Sequence, residues 1–134
     1  MNELDAVMEQ SDYVVSILPN TPETKCFIKG KHFKKAKKGQ FFINIGRGAT
    51  VDENALVAAL KDGSIAGAAL DVFTVEPLPK TSELWAMNNV LISSHNADIL
   101  VDSREQSVRL FTEQCKKFLA GEELDCIVDK KAGY

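Results

Sequence analysis

Phe41-Phe42-Ile43-Asn44-Ile45 runs straight into Gly46-Arg47-Gly48. An apolar pentad broken only by Asn44 predicts a strand with apolar side chains on both faces, as in a parallel sheet covered on both sides. The two glycines that follow predict a turn at which the backbone can approach a ligand closely. A strand ending on such a turn is the pattern of an open α/β sheet, where ligands bind beyond the carboxyl ends of the strands.

Outward from this stretch, strand and helix signals alternate. Upstream, Leu4 to Met8 reads as the end of a helix and Tyr13 to Leu18 (YVVSIL) as a strand stopped by Pro19. Asn20 to Thr24 (NTPET) has turn chemistry, and Lys31 to Ala36 predicts a short helix closed by Gly39. Downstream, Asp52 precedes Glu53 to Lys61, whose apolar Ala55, Leu56, Ala59 and Leu60 have helical spacing behind an N-cap. Gly63 closes that helix. Ile65 to Phe73 (IAGAALDVF) contains a third strand, Glu76 to Pro79 (EPLP) is a loop, and Val90 to Ser93 is a fourth strand leading to His95. Ser103 to Ala120 predicts the longest helix, with Val108, Phe111, Cys115, Phe118 and Leu119 on one stripe and Gly121 at its end. Leu124 to Tyr134 reads as an extended tail. The alternation predicts a parallel α/β fold, and no linker or repeat divides residues 1–134.

The bulk properties narrow the function classes. The chain has 134 residues, the size of one domain, with 45% hydrophobic and 26% charged residues, ordinary for a soluble globular protein. Sixteen Lys and Arg stand against 19 Asp and Glu, so the chain lacks the basic footprint of a nucleic-acid binder. Lys29 to Lys38 (KGKHFKKAKK) is the local exception. It reads as a solvated helix face, with polyanion binding as the alternative. Cys26, Cys115 and Cys126 are odd in number and match no metal or redox spacing, which predicts small reduced hydrophobes and no metal site. No stretch approaches the ~18 apolar residues of a membrane span. Residues 1–10 are polar and acidic, unlike a signal peptide. The expectation is a cytoplasmic protein with no membrane and no nucleic-acid partner.

Position singles out three side chains. Arg47 follows one strand, Glu76 the next and His95 the last, so all three fall on one edge of one sheet. Histidine exchanges protons near neutral pH, and a carboxylate beside it fixes its tautomer and favours its charged form. The planar fork of arginine suits a carboxylate. Each residue has an ordinary reading as well: a structural histidine, an exposed loop acid, a solvated arginine in a turn. His32, inside the basic helix, has no such company and reads as structural. Asp71 ends an apolar strand (AALDVF), where a carboxylate needs a hydrogen-bonding partner. It reads as a ligand for an amide, a brace for the site, or a cap.

Ile43-Asn44-Ile45-Gly46-Arg47-Gly48 with Val51-Asp52-Glu53 and Ala55-Leu56 resembles the signature of the D-isomer-specific 2-hydroxyacid dehydrogenases. So do Leu70-Asp71-Val72-Phe73 with Glu76-Pro77-Leu78, Ser93-Ser94-His95-Asn96-Ala97, and Asp12 to Val15 with Leu18 to Thr24. The similarity covers essentially the whole chain. It implies a Rossmann-like three-layer NAD(P)-binding domain and hydride transfer between NAD(P)H and a small 2-keto acid such as glyoxylate or hydroxypyruvate. It also implies that Arg47 anchors the substrate carboxylate, His95 is the acid/base, and Glu76 holds His95 protonated for reduction. By the same resemblance Leu18, Pro19, Ile45, Gly46, Arg47, Asp71, His95 and Ala97 border the cofactor, with Asp71 near the nicotinamide carboxamide.

Two departures stand out. Ser94 occupies the place where the family usually has proline, which should loosen the His95 loop. No G-x-G-x-x-G occurs in these residues, so the chain reads as a truncated domain without the first βαβ units, with 124–134 as the tail returning toward a substrate domain. A pyrophosphate normally sits on backbone N–H groups at a helix N-terminus. Without that loop the expectation is weak NAD or NADP affinity and little activity. In the doubly wound order the strand at 13–18 would also have an unpaired edge, which predicts a homodimer through that strand. The alternative is a dehydrogenase-derived binding or assembly module completed by another partner.

Overall fold

The computed structural model describes residues 3–134. The chain divides into two compact units, Met1–Ala97 and Asp98–Tyr134. In the first, strands β1 (Tyr13–Ser16), β2 (Phe41–Asn44), β3 (Gly67–Leu70) and β4 (Val90–Ile92) form one parallel sheet in the order β1-β2-β3-β4. Tyr13, Phe41 and Gly67 share one register row; Ser16, Asn44, Leu70 and Ile92 share the last. All four strands therefore end together, and every strand-to-loop junction opens on the same edge.

Strands laid down in one direction by crossovers of one hand put those crossovers on one face, and the burial follows this. Helices α1 (Glu3–Gln10), α2 (Gly30–Phe33) and α3 (Glu53–Asp62) contribute Met8, Phe33, Leu56 and Leu60 to a core with Val14, Phe42, Ala68 and Leu70 of the sheet. Phe33 meets Phe42 edge-on, with ring centroids 5.4 Å apart. On the opposite face Tyr13, Val15 and Leu91 are 66%, 51% and 68% exposed, so the apolar run of β2 has a covered side and an open one. There Tyr13 stacks on Phe41, whose ring lies where a Cβ on Gly67 would stand, 2.7 Å away.

Local chemistry sets the helix limits. Asp52 Oδ1 accepts the Ala55 N–H at 3.0 Å and starts α3, and Gly63, at φ +79°, ends it in the left-handed conformation. The short helix begins at Gly30 and not at Lys31, because His32 Nδ1 accepts the Lys29 N–H at 2.9 Å and closes its first turn. It ends at Phe33, short of Ala36. β1 and β4 each stop before the expected limit, at Ser16 and Ile92.

The second unit holds α4 (Ser103–Ala120), with Gly121 at φ +71° as its C-cap. Its apolar stripe forms as the periodicity predicts, but no residue of the helix is buried: Val108, Phe111, Phe118 and Leu119 are all more than half exposed. Leu124 to Tyr134 is not an extended strand. Asp125 is tied back to α4 by Gln114 and Lys117, and Asp129 folds a turn by accepting the N–H groups of Lys131 and Ala132. Among the described residues no helix is long and apolar enough to cross a membrane.

Candidate active site

Past β2 the chain is threaded between two backbones. A Cβ on Gly46 would stand 2.7 Å from Leu18 N, and one on Gly48 would stand 2.0 Å from the carbonyl carbon of Phe73. Only glycine fits either place, so Arg47 is the one side chain this turn can present. The Arg47 carbonyl is fixed by the Thr50 hydroxyl at 2.7 Å, and Asn44 Oδ1 accepts the Gly46 N–H at 3.2 Å. The guanidinium donates to Gly46 O at 2.8 Å and is otherwise exposed.

After β3, Asp71 is buried, 3% exposed, and its carboxylate faces the loop that follows β4. Oδ1 accepts the Ser93 hydroxyl at 2.5 Å and the Asn96 N–H at 3.0 Å; Oδ2 accepts the Ala97 N–H at 2.9 Å. The His95 N–H donates to the Asp71 carbonyl at 2.9 Å. Burial pushes the Asp71 pKa upward, but the bonds from Ser93, Asn96 and Ala97, with the nearby His95, outweigh it and hold the carboxyl below its usual value.

Glu76 bridges the same two loops. Its Oε1 accepts the Phe73 N–H at 2.9 Å, and its Oε2 lies 2.7 Å from His95 Nδ1. An ionised carboxylate only accepts, so Nδ1 carries the proton and Nε2 is the ring nitrogen left for a substrate. Desolvation raises the Glu76 pKa, yet the His95 and Phe73 bonds and the charges of His95 and Arg47 bring it below the ordinary value. A cleft of about 260 Å³ is lined by Asn20, Arg47, Gly48, Phe73, Glu76 and His95, so the three catalytic candidates meet in one place. A second cavity, of about 420 Å³, lies against Glu76 and His95 and is walled by Phe73, Pro77, Leu78, Trp85 and Ile92.

The remaining candidates are distributed along the same edge. Leu18 and Pro19 are half-buried, Ile45 and Ala97 exposed, and Gly46 buried against the Ile17–Leu18 peptide. At Gly46 and Gly48 the space a Cβ would take is filled by the backbone of Ile17–Leu18 and of Phe73, so both positions are packing contacts that fix the turn carrying Arg47. Sequence reasoning missed Ser93, Asn20 and Trp85. Ser93 could have been found as a hydroxyl at a strand end beside another strand ending in a buried acid. Asn20 sits in a loop ordered by Thr24, whose hydroxyl donates to Pro19 O at 2.6 Å. The basic stretch shows no comparable construction: His32 is buried, Lys35 pairs with Asp5 and Lys37 with Asp12. Among the described residues no cluster of three His, Cys, Asp or Glu could hold a metal ion.

Known proteins carry the same framework. The D-isomer specific 2-hydroxyacid dehydrogenase, NAD binding domain, family matches residues 1–97, the span of the first compact unit. Glyoxylate/hydroxypyruvate reductase B of Cronobacter sakazakii is 42% identical over 130 residues, covering 97% of this chain and 40% of that protein. Glyoxylate reductase of Thermofilum pendens is 40% identical over 129 residues, 96% of this chain and 38% of that protein. The chain thus spans about two-fifths of the length of these relatives. The D-isomer specific 2-hydroxyacid dehydrogenase from Xanthobacter autotrophicus, solved with NADPH and MES, superposes with a TM-score of 0.91 at 42% identity, over 100% of this chain and 55% of that one. The NADPH-dependent glyoxylate/hydroxypyruvate reductase from Sinorhizobium meliloti, solved with NADP and sulfate, gives 0.89 at 37% identity, over 98% and 42%. With a Rossmann-like parallel sheet and its strand-end loops in common with these proteins, the chain belongs to the D-isomer specific 2-hydroxyacid dehydrogenase family, through its NAD-binding domain.

Proposed function

We propose that this chain carries the catalytic edge of an oxidoreductase that moves hydride between NAD(P)H and a small 2-keto acid of glyoxylate or hydroxypyruvate size. The observation that carries the reading is the 2.7 Å contact of His95 Nδ1 with Glu76 in the cleft that Arg47 also lines. Arg47 captures the substrate carboxylate, for which its planar fork is suited. His95 Nε2 delivers the proton to the keto oxygen or removes it from the hydroxyl, and Glu76 orients the ring and balances its charge. When bound, the nicotinamide supplies or accepts the hydride. Leu18, Pro19, Ile45, Gly46 and Ala97 border it, and the close backbone packing at Gly46 and Gly48 sets Arg47 beside it. Asp71 braces the His95 loop, with the spare acceptor capacity of Oδ2 toward the carboxamide. Relatives solved with NADPH or NADP hold the phosphorylated cofactor in either redox state, while the matching family is described by NAD binding, so both cofactors stay in the reading.

In this reading residues 124–134 lead back toward a substrate domain, and the 134 residues by themselves turn over slowly in the cytoplasm. They contain no glycine-rich pyrophosphate loop, and half a cleft forfeits proximity and water exclusion. The assay is NADPH or NADH oxidation with glyoxylate or hydroxypyruvate, comparing the chain with R47Q and H95Q. Any turnover is expected to vanish in both variants; turnover that survives H95Q refutes the role of His95, and robust turnover by the chain refutes the slow-turnover reading. A second reading, a non-catalytic binding or assembly module, is favoured by the place of β1 at the end of the strand order, which leaves one of its edges unpaired among the described residues. There, two copies of β1 pair into a homodimer. Light scattering that finds only monomer at high concentration refutes the dimer, and calorimetric titration with NAD(P)H separates the two readings.

A further inference from the structure

His95 stands at φ +52°, in the left-handed region. A histidine there is strained by about 1 kcal/mol or more, and such strain persists only where the surroundings impose it. Ser94 places no ring constraint on the preceding peptide, and residues 95–97 are exposed, so packing does not supply the constraint. Hydrogen bonds do: Ser93 N–H to Leu70 O at 3.0 Å, His95 N–H to Asp71 O, and the Asn96 and Ala97 N–H groups to the Asp71 carboxylate. The carboxylate can receive those two N–H groups only at one rotation about its Cβ–Cγ bond. Among the described residues the Ser93 hydroxyl is the one side chain that bonds to it, at 2.5 Å on Oδ1.

We infer that Ser93 is a positioning residue for His95, acting through Asp71: its hydroxyl sets the rotation of the carboxylate that holds the His95 loop in its left-handed turn, and so aims Nδ1 at Glu76. The consequence for hydride transfer rests on the dehydrogenase reading; the geometry does not, and is tested without turnover or cofactor. The experiment is NMR of the full 15N-labelled chain as wild type, S93A and S93T, with His95 assigned by H95Q, since His32 is the only other histidine. Amide exchange at Asn96 and Ala97 reads the loop, and the imidazole 15N signals of His95 read the Nδ1–Glu76 bond.

Wild type is expected to show protected amides and one ring species. S93A is expected to speed exchange at both amides by roughly tenfold or more, as for losing a bond to a charged group, and to broaden or split the ring signals. S93T, which keeps the hydroxyl, is expected to restore both. A wild-type ring spectrum and unchanged exchange in S93A overturn the inference, as does an S93T that behaves like S93A, or wild-type Asn96 and Ala97 amides that exchange at unprotected rates. Should S93A not fold, S93V serves as the hydroxyl-free variant against S93T under the same outcomes, and the wild-type exchange measurement decides by itself if neither folds. A chain that passes these tests but shows no binding of NAD(P)H in calorimetric titration refutes the functional reading alone.

Discussion

Replacing Gly48 by alanine tests how the fold delivers Arg47 to the cleft. The new methyl would stand 2.0 Å from the carbonyl carbon of Phe73, 2.1 Å from its oxygen and 2.5 Å from its Cα. Carbon atoms in contact prefer roughly 3.5–4.0 Å, so the two segments must part by about 1.5 Å. No rotamer relieves this, because all three obstacles are backbone. Insertion of a methylene into a packed site costs about 1–3 kcal/mol when side chains can move, so G48A is expected to lose at least about 3 kcal/mol, a large share of a typical domain stability of about 5–15 kcal/mol. The displacement also reaches the Glu76–His95 pair, since the Phe73 N–H holds Glu76 Oε1 at 2.9 Å. Gly63→Ala is the control. Its φ of +79° strains an alanine, but nothing lies within 4 Å of the added Cβ, so only the left-handed penalty of about 1–2 kcal/mol applies. Urea unfolding of both variants, with slopes compared, gives the difference. A G48A that costs no more than G63A refutes the claim that the glycine is required by backbone contact.

Phe42, fully buried in β2 against Phe33, should cost about 3–5 kcal/mol as alanine; a urea midpoint shift equivalent to less than about 1 kcal/mol would show that the core collapses around it. Asp52→Ala removes the acceptor of the Ala55 N–H and should cost about 1 kcal/mol while Asp52→Asn costs little, as thermal unfolding of the pair will show. His32 is pushed below its ordinary pKa of 6.5 chiefly by burial, with Lys31, Lys29 and Lys35 adding to it against Asp5. The unfolded chain therefore takes up this proton first, and stability is full above that value and declines as the pH falls below it. Unfolding free energies at about pH 7.5 and about pH 5.5 should differ in that direction in wild type and converge in H32Q; a wild-type chain as stable at the lower pH refutes the assignment.

The pieces of this fold that are legible in the sequence are those set by neighbours along the chain. The strand at Phe41, the α3 helix between Asp52 and Gly63, and α4 from Ser103 to Ala120 all follow from periodicity and end residues. The gathering of Arg47, Glu76 and His95 is legible too, because parallel strands in register end together. What escapes is whatever depends on contacts distant in sequence. The stripe on α4 marks an apolar face, but periodicity does not say what covers it. The start of α2 is set by an imidazole acting as cap, which no propensity announces. Gly48 looks like a flexible turn residue and is instead a backbone-to-backbone contact with Phe73.

The same division explains why the candidate set is legible in the sequence while the aim of His95 is not. Helices α1, α2 and α3 cover one face of the sheet, the loops at its carboxyl edge lie past the strand ends, and His95 to Ala97 are exposed with little apolar surface to pack. Their conformation has to be imposed by polar contacts. The buried end of β3 supplies a suitable one in Asp71, held ionised by three donors from a single loop. A carboxylate at 3% exposure is costly unless its partners are fixed, and those partners are the residues that flank His95. Orientation of the histidine and ionisation of Asp71 are therefore coupled: a variant that frees the loop also leaves a buried charge short of donors, so disturbance at Ser93 should appear at His95 before it appears in the core.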